Sequence, residues 1–234
     1  MMASVDAAAL DNPFWSALST LHAGIARVDG AVRRYPAEYA PFLGVADGAV
    51  DVGPALDRLL AADESVYLLG VACAAPAGWA MEAFQPLAQM VCDAPLAETA
   101  GPPILPLDET HRADLLALTA LVYPHYFRAR TQDMGRYFGI YEDGRLAAII
   151  GERLGTGPTR ELSAICTHPD FLGRGYARRL TAMLTNDLLA RGVQPFLHVS
   201  HANARAKGLY EAMGFRLRRD IGFWSLRKPA ASAT

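Results

Sequence analysis

One run of the chain, from Arg160 to Phe215, limits the folds open to it: RELSAICTHPDFLGRGYARRLTAMLTNDLLARGVQPFLHVSHANARAKGLYEAMGF. β-forming residues from Glu161 to Thr167 end at His168-Pro169. Gly173-Arg174-Gly175 then leads into a helical pattern that opens at Tyr176. A strand, a glycine loop and a helix in that order make an anion site. Glycine lets the backbone approach closely, and the first helical turn leaves N–H groups without intrahelical partners. Ala177, Leu180, Leu184 and Leu188 share one face of that helix, and Gly192 is placed to end it. A second helix is capped by Asn203, turns Ala206, Leu209, Tyr210 and Met213 inward and stops at Gly214.

Upstream, Tyr137–Tyr141 and Leu146–Leu154 read as strands joined by the hairpin turn Glu142-Asp143-Gly144. A further turn at Gly155-Thr156-Gly157-Pro158 leads into the Glu161 strand, completing an antiparallel meander. The helix after Gly175 crosses to a strand at Phe196–Val199, and Phe215–Leu226 closes the sheet. Ile104–Leu107 is a short strand, and Asp108–Val122 a helix capped by Asp108 or Thr110. Tyr123-Pro124-His125-Tyr126-Phe127 breaks it, making Tyr123, Tyr126 and Phe127 candidates for the wall of a substrate pocket, or simply aromatic packing under a loop.

The first hundred residues carry no catalytic spacing. A helix starting at Pro13 is expected to close near Gly30, another to run through Leu56, Leu59 and Leu60, and a third over Met81–Met90. Ser65–Val71 reads as a buried strand, and Leu96–Pro103 as the boundary. The expected class is α/β (α+β), with residues 1–100 an additional N-terminal α/β region and 101–234 the unit that carries the glycine loop.

Composition excludes several functions. An apolar share of 52% and a charged share of 20% are globular values, and a net charge of −2 makes no case for nucleic acid or an anionic membrane. Cys73, Cys92 and Cys166 are odd in number and lack metal-type spacing, which argues for a reducing compartment and against a disulfide framework or zinc site. His198 and His201 lack a third ligand nearby, so no metal is expected. The opening MMASVDAAALDNPFW has no basic stretch of a signal peptide, and the uncharged run Ser65–Met81 is too short to span a membrane. A cytoplasmic protein, monomer or homodimer, is expected. A dinucleotide-binding oxidoreductase is disfavoured because Gly173-x-Gly175-x-x-Arg178 lacks the third glycine and follows antiparallel strands.

Two blocks carry a family resemblance. Leu172-Gly173-Arg174-Gly175-Tyr176-Ala177 matches the signature Q/R-x-x-G-x-G/A except at its first position, where Leu172 stands. Asn203, Ala206, Leu209, Tyr210, Gly214 and Phe215 match N-x-x-A-x-x-L-Y-x-x-x-G-F. Over about Ile104–Leu226 the chain thus resembles the GNAT superfamily of N-acetyltransferases, and its first hundred residues are similar in size and placement to the degenerate N-terminal half of two-lobed members. The resemblance implies a mixed, mostly antiparallel twisted sheet flanked by helices. It also implies transfer of acetyl from acetyl-CoA to a primary amine, on a small molecule or peptide, by direct attack in a ternary complex.

The cofactor residues it implies are Gly173, Arg174, Gly175, Tyr176, Ala177 and Arg178 for the pyrophosphate, Ile165, Cys166 and Thr167 for the pantetheine arm, and Asn203. It assigns Tyr210 as proton donor to the leaving thiolate, since a phenol is protonated at neutral pH. Glu161, whose pKa burial should raise, and His198, an imidazole that titrates near neutrality, compete with water as the base. Cys166 reads as a packing residue rather than a nucleophile. The alternative is a non-catalytic CoA-sensing or partner-binding module on the same fold.

Overall fold

The computed structural model describes residues 7–122 and 125–230. In chain order the elements are α1 (Ala7–Asp11), α2 (Pro13–Ser19), β1 (Arg27–Asp29), β2 (Val32–Arg34), β3 (Leu43–Val45), α3 (Gly53–Leu59), β4 (Ser65–Leu69), β5 (Ala80–Ala83) and β6 (Leu87–Val91). There follow β7 (Leu105–Leu107), α4 (Arg112–Val122), β8 (Tyr137–Glu142), β9 (Arg145–Gly155), β10 (Thr159–Thr167), α5 (Tyr176–Ala190), β11 (Gln194–Ser200), α6 (Ala204–Met213), β12 (Arg216–Ile221) and β13 (Phe223–Arg227). Among the described residues no helix is long and apolar enough to cross a membrane.

The main sheet has seven strands in the order β12-β6-β11-β10-β9-β8-β7. All its pairings are antiparallel except β10 with β11, which α5 joins by a crossover. The β8–β9 hairpin turns on Asp143 and Gly144 at φ 52° and 73°, the left-handed pair that matches strand twist. On one face of the sheet, Leu180, Leu184 and Leu188 of α5 pack against Ala148, Ile150, Leu162 and Leu197. Each leucine so buried contributes about 1.5–3 kcal/mol.

The first hundred residues depart from expectation in two ways. The helix from Pro13 ends at Ser19, where the turn brings the His22 ring inward to bond the Tyr35 hydroxyl (2.8 Å) and the Met134 carbonyl (2.9 Å). Gly30 (φ 55°) therefore makes the β1–β2 hairpin turn rather than a helix stop. Met81–Met90 holds no helix. It divides into β5 and β6, separated by Phe84-Gln85-Pro86, because a central strand covered on both faces shows no strand alternation: Ala88, Gln89, Met90 and Val91 are all buried.

Strand pairing crosses residue 100. β6 lies between β11 and β12, and β4 and β5 flank β13 in a separate three-stranded sheet. The 96–103 stretch is docked rather than loose. Asn186 of α5 exchanges two hydrogen bonds with the Leu96 backbone (2.7 and 2.9 Å), and Arg179 donates to the Thr99 and Pro102 carbonyls.

A fragment spanning 101–234 lacks the strand that joins β11 to β12 and both partners of β13. It is expected to show no cooperative thermal transition and no near-ultraviolet circular dichroism, whereas a self-sufficient unit would show both.

Candidate active site

Strands β10 and β11 pair only at Thr159↔Gln194, Arg160↔Pro195 and Glu161↔Phe196. Beyond Glu161 they part, β11 staying with β6 and β10 with β9. Along Leu162–Thr167 the backbone edge towards β11 therefore has no strand partner. A bulge reinforces the parting. Ser163 opposes Gly151 and Cys166 opposes Ile149, so Ala164 and Ile165 stand against one residue of β9, with Ala164 at φ 51°. Left-handed alanine is strained by about 1–2 kcal/mol, a conformation usually kept where function requires it. Ile165, Cys166 and Thr167 lie on the parted edge, and Ile165 and Cys166 line the cavity it opens.

The glycine loop closes the same end of β10. Gly173 and Gly175 adopt φ 80° and 77°, and a Cβ at either would meet no atom within 4 Å. No side chain caps the N-terminus of α5. Arg174 is held by Glu142 (2.5 Å) and lies over the Phe171 ring, while the Tyr176 hydroxyl bonds the same carboxylate. These two side chains anchor the loop to the β8–β9 hairpin, so an anion there would meet the backbone amides of residues 173–178. Leu172, the departure from the signature, is 49% exposed and takes no part in that anchoring. Asn203 caps α6 by accepting from the Ala206 amide (3.1 Å), and Tyr210, buried one helical stretch later, lines the cavity with Asn203 and Ala206.

At the point of parting sits a buried polar cluster. Arg153 Nε and Nη2 donate to Glu161 Oε2 and Oε1 (2.9 and 3.1 Å), and the Leu154 amide also reaches Oε2 (3.3 Å). His198 Nδ1 lies 2.7 Å from Glu161 Oε1, and its Nε2 lies 3.0 Å from Gln89 Nε2. Gln89 also donates from Nε2 to the Leu10 carbonyl (2.8 Å) and accepts at Oε1 from Arg218 (2.8 Å), which fixes its amide. Nε2 of His198 is thus the acceptor, and Nδ1 carries the proton given to Glu161.

This arrangement overturns one expectation. Burial by itself raises the Glu161 pKa, but the Arg153 charge and the hydrogen bonds from His198 and Arg153 outweigh it and hold the carboxyl at about 2. Both its oxygens are occupied, and so are both nitrogens of His198. The Cys166 thiol, by contrast, is pushed up to about 12 by burial and remains a thiol.

The cavity at the parting encloses about 400 Å³. Its remaining wall comes mainly from the first hundred residues, the rings of Phe14, Phe42 and Phe84 beside Leu69, Gln85 and Leu87, with Tyr126 and Phe223. Of the expected pocket residues, Tyr126 lines it. Phe127 packs edge-on against Tyr137 (5.8 Å) in another part of the core, and Tyr123 lies outside the described residues. Phe14, Phe42 and Phe84 escaped the sequence reading because nothing local links them. Only the fold brings them together.

Among known proteins, the model of the "FR47-like protein" family matches residues 137–224. The solved structure of a putative acetyltransferase from the GNAT family of Novosphingobium aromaticivorans is 32% identical, covers 95% of this chain and 99% of its own, and superposes with a TM-score of 0.85. The chain belongs to the GNAT family. A GCN5-related N-acetyltransferase from Kribbella flavida, 15% identical with 98% of each chain covered and a TM-score of 0.64, shares the fold. Mycothiol acetyltransferase of Beutenbergia cavernae is 39% identical over 74 residues, 31% of this chain and a quarter (25%) of that protein's length.

Because its folded pKa lies below the ordinary 4.5, Glu161 adds stability above about pH 4.5, and that contribution fades as pH falls towards 2. Glu161→Gln leaves Arg153 buried without its counter-charge and is expected to lose about 3–5 kcal/mol at pH 7 by urea unfolding. The difference between variant and parent should shrink as the pH is lowered through 4.

Proposed function

We propose that the protein is an acetyl-CoA-dependent N-acetyltransferase acting by direct attack in a ternary complex. The observation that carries this reading is the unpaired β10 edge running into an uncapped, glycine-led helix: one stretch of backbone offers amides to an amide-rich arm, and the next to a pyrophosphate. Residues 165–167 would pair with the pantetheine arm, the amides of residues 173–178 would hold the pyrophosphate, and Asn203 would border the arm from α6. Amides on the parted edge would also stabilise the oxyanion that forms on the thioester carbonyl.

In the chemical step the lone pair of a neutral amine attacks the thioester carbon, and the C–S bond then breaks. Tyr210 gives its phenolic proton to the departing thiolate. The proton lost by the acylated nitrogen returns through water to the tyrosine, so the sum is amine plus acetyl-CoA to amide plus CoA. No carboxylate base is needed in this scheme. Glu161 and His198 act instead as positioning residues that hold the strands where they part. The Cys166 thiol, protonated and 4% exposed, is unsuited to an acyl-enzyme route. Three buried free cysteines fit work in a reducing compartment such as the cytoplasm.

Calorimetric titration with acetyl-CoA is expected to give saturable binding in the micromolar range, and thiol release over an amine panel to give turnover. Tyr210→Phe should lower kcat about 10²-fold with little change in acetyl-CoA affinity. Binding without transfer to any amine would favour a CoA-sensing module, and absence of binding would remove both readings.

A further inference from the structure

The cavity has two unlike walls. One is the parted β10–β11 edge with Tyr210. The other is a set of aromatic rings in edge-to-face and tilted contact: Tyr126 against Phe223 at 6.1 Å and 79°, Phe84 against Phe223 at 5.3 Å and 36°, and Phe42 against Tyr126 at 6.1 Å. Phe14 and Phe42 stack behind them at 4.3 Å. Phe42, Phe223 and Phe14 are buried, whereas Phe84 and Tyr126 are only half-buried and line the cavity.

From this wall we infer that the acceptor, within the N-acetyltransferase reading on which the inference rests, is a small primary amine carried on a flat aromatic group, an arylalkylamine in chemical class.

Charge points the same way. Among the described residues, the only carboxylate lining the cavity is Glu161, and both its oxygens are committed to Arg153, His198 and the Leu154 amide. A polyamine or aminosugar would bring further ammonium groups into this space, and no lining carboxylate is available to receive them. The Arg153 charge is matched by Glu161 and its guanidinium lies 5.0 Å over the Phe42 ring, so the wall is electrically near neutral. A cavity of about 400 Å³ is at the lower end of the ~300–1,000 Å³ usual for small-molecule sites. Ring edges and faces set at these distances suit a further ring in offset or edge-on contact. The same apolar surroundings disfavour the ammonium form of a bound amine, and so raise the share of the neutral nucleophile. That fits a site whose one carboxylate cannot accept a proton near neutral pH.

The test is calorimetry on the protein saturated with CoA, titrated separately with 2-phenylethylamine, hexylamine and spermidine. The aryl amine is expected to bind about ten-fold tighter than hexylamine, with spermidine weaker still. Phe84→Ala and Tyr126→Ala should each reduce that preference several-fold, while Phe84→Tyr and Tyr126→Phe, which keep the ring, should retain it. CoA binding with no preference for the aryl amine, or a preference that survives both alanine variants, overturns this inference and leaves the acetyltransferase reading standing. Failure of CoA itself to bind overturns that reading and this one with it.

Discussion

The site depends on two neighbouring strands ceasing to pair. A parallel ladder between β10 and β11 would consume the amides on both edges. It stops after three residue pairs, at Glu161↔Phe196, and where it stops the structure inserts charge. Arg153 from β9, Glu161 from β10, His198 from β11 and Gln89 from β6 bond one another in sequence, and Gln89 reaches on to the Leu10 carbonyl at the end of α1. A buried carboxylate is tolerable only when paired and fully hydrogen-bonded. The strands are therefore held at a fixed separation by the requirement that this cluster stay complete. The bulge at Ala164 then turns the free edge of β10 along the cavity.

The first hundred residues take on a defined role in this light. They supply β6, which ties β11 to β12, and both strands that flank β13. They also supply Phe14, Phe42 and Phe84 to the aromatic wall. The part of the chain with no family signature thus shapes the end of the cavity opposite the parted β10 edge.

What the sequence made legible was local. The β8–β9–β10 meander, α5 with its glycines, and α6 from the Asn203 cap to Gly214 are each set by residues within a few positions, and all appear where expected. What it hid depends on distant partners. Met81–Met90 contains good helix formers and no strand alternation, and only its place between two strands makes Leu87–Val91 a central strand. Burial alone points to a raised Glu161 pKa, the opposite of what its partners impose. The β9–β10 hairpin sets Arg153 beside it, a pairing that the strand register could have revealed. The tautomer of His198 depends on Gln89, 109 residues away, which no reading of a single motif supplies.

Amide hydrogen exchange with and without CoA tests the central claim most directly, because it reads the backbone groups that the parted strands leave open. Slower exchange confined to residues 163–167 and 173–178 on adding CoA, with β7 and β8 unchanged, is the result the account predicts. Unaltered exchange in both segments at saturating CoA, or protection arising elsewhere in the sheet, would contradict it.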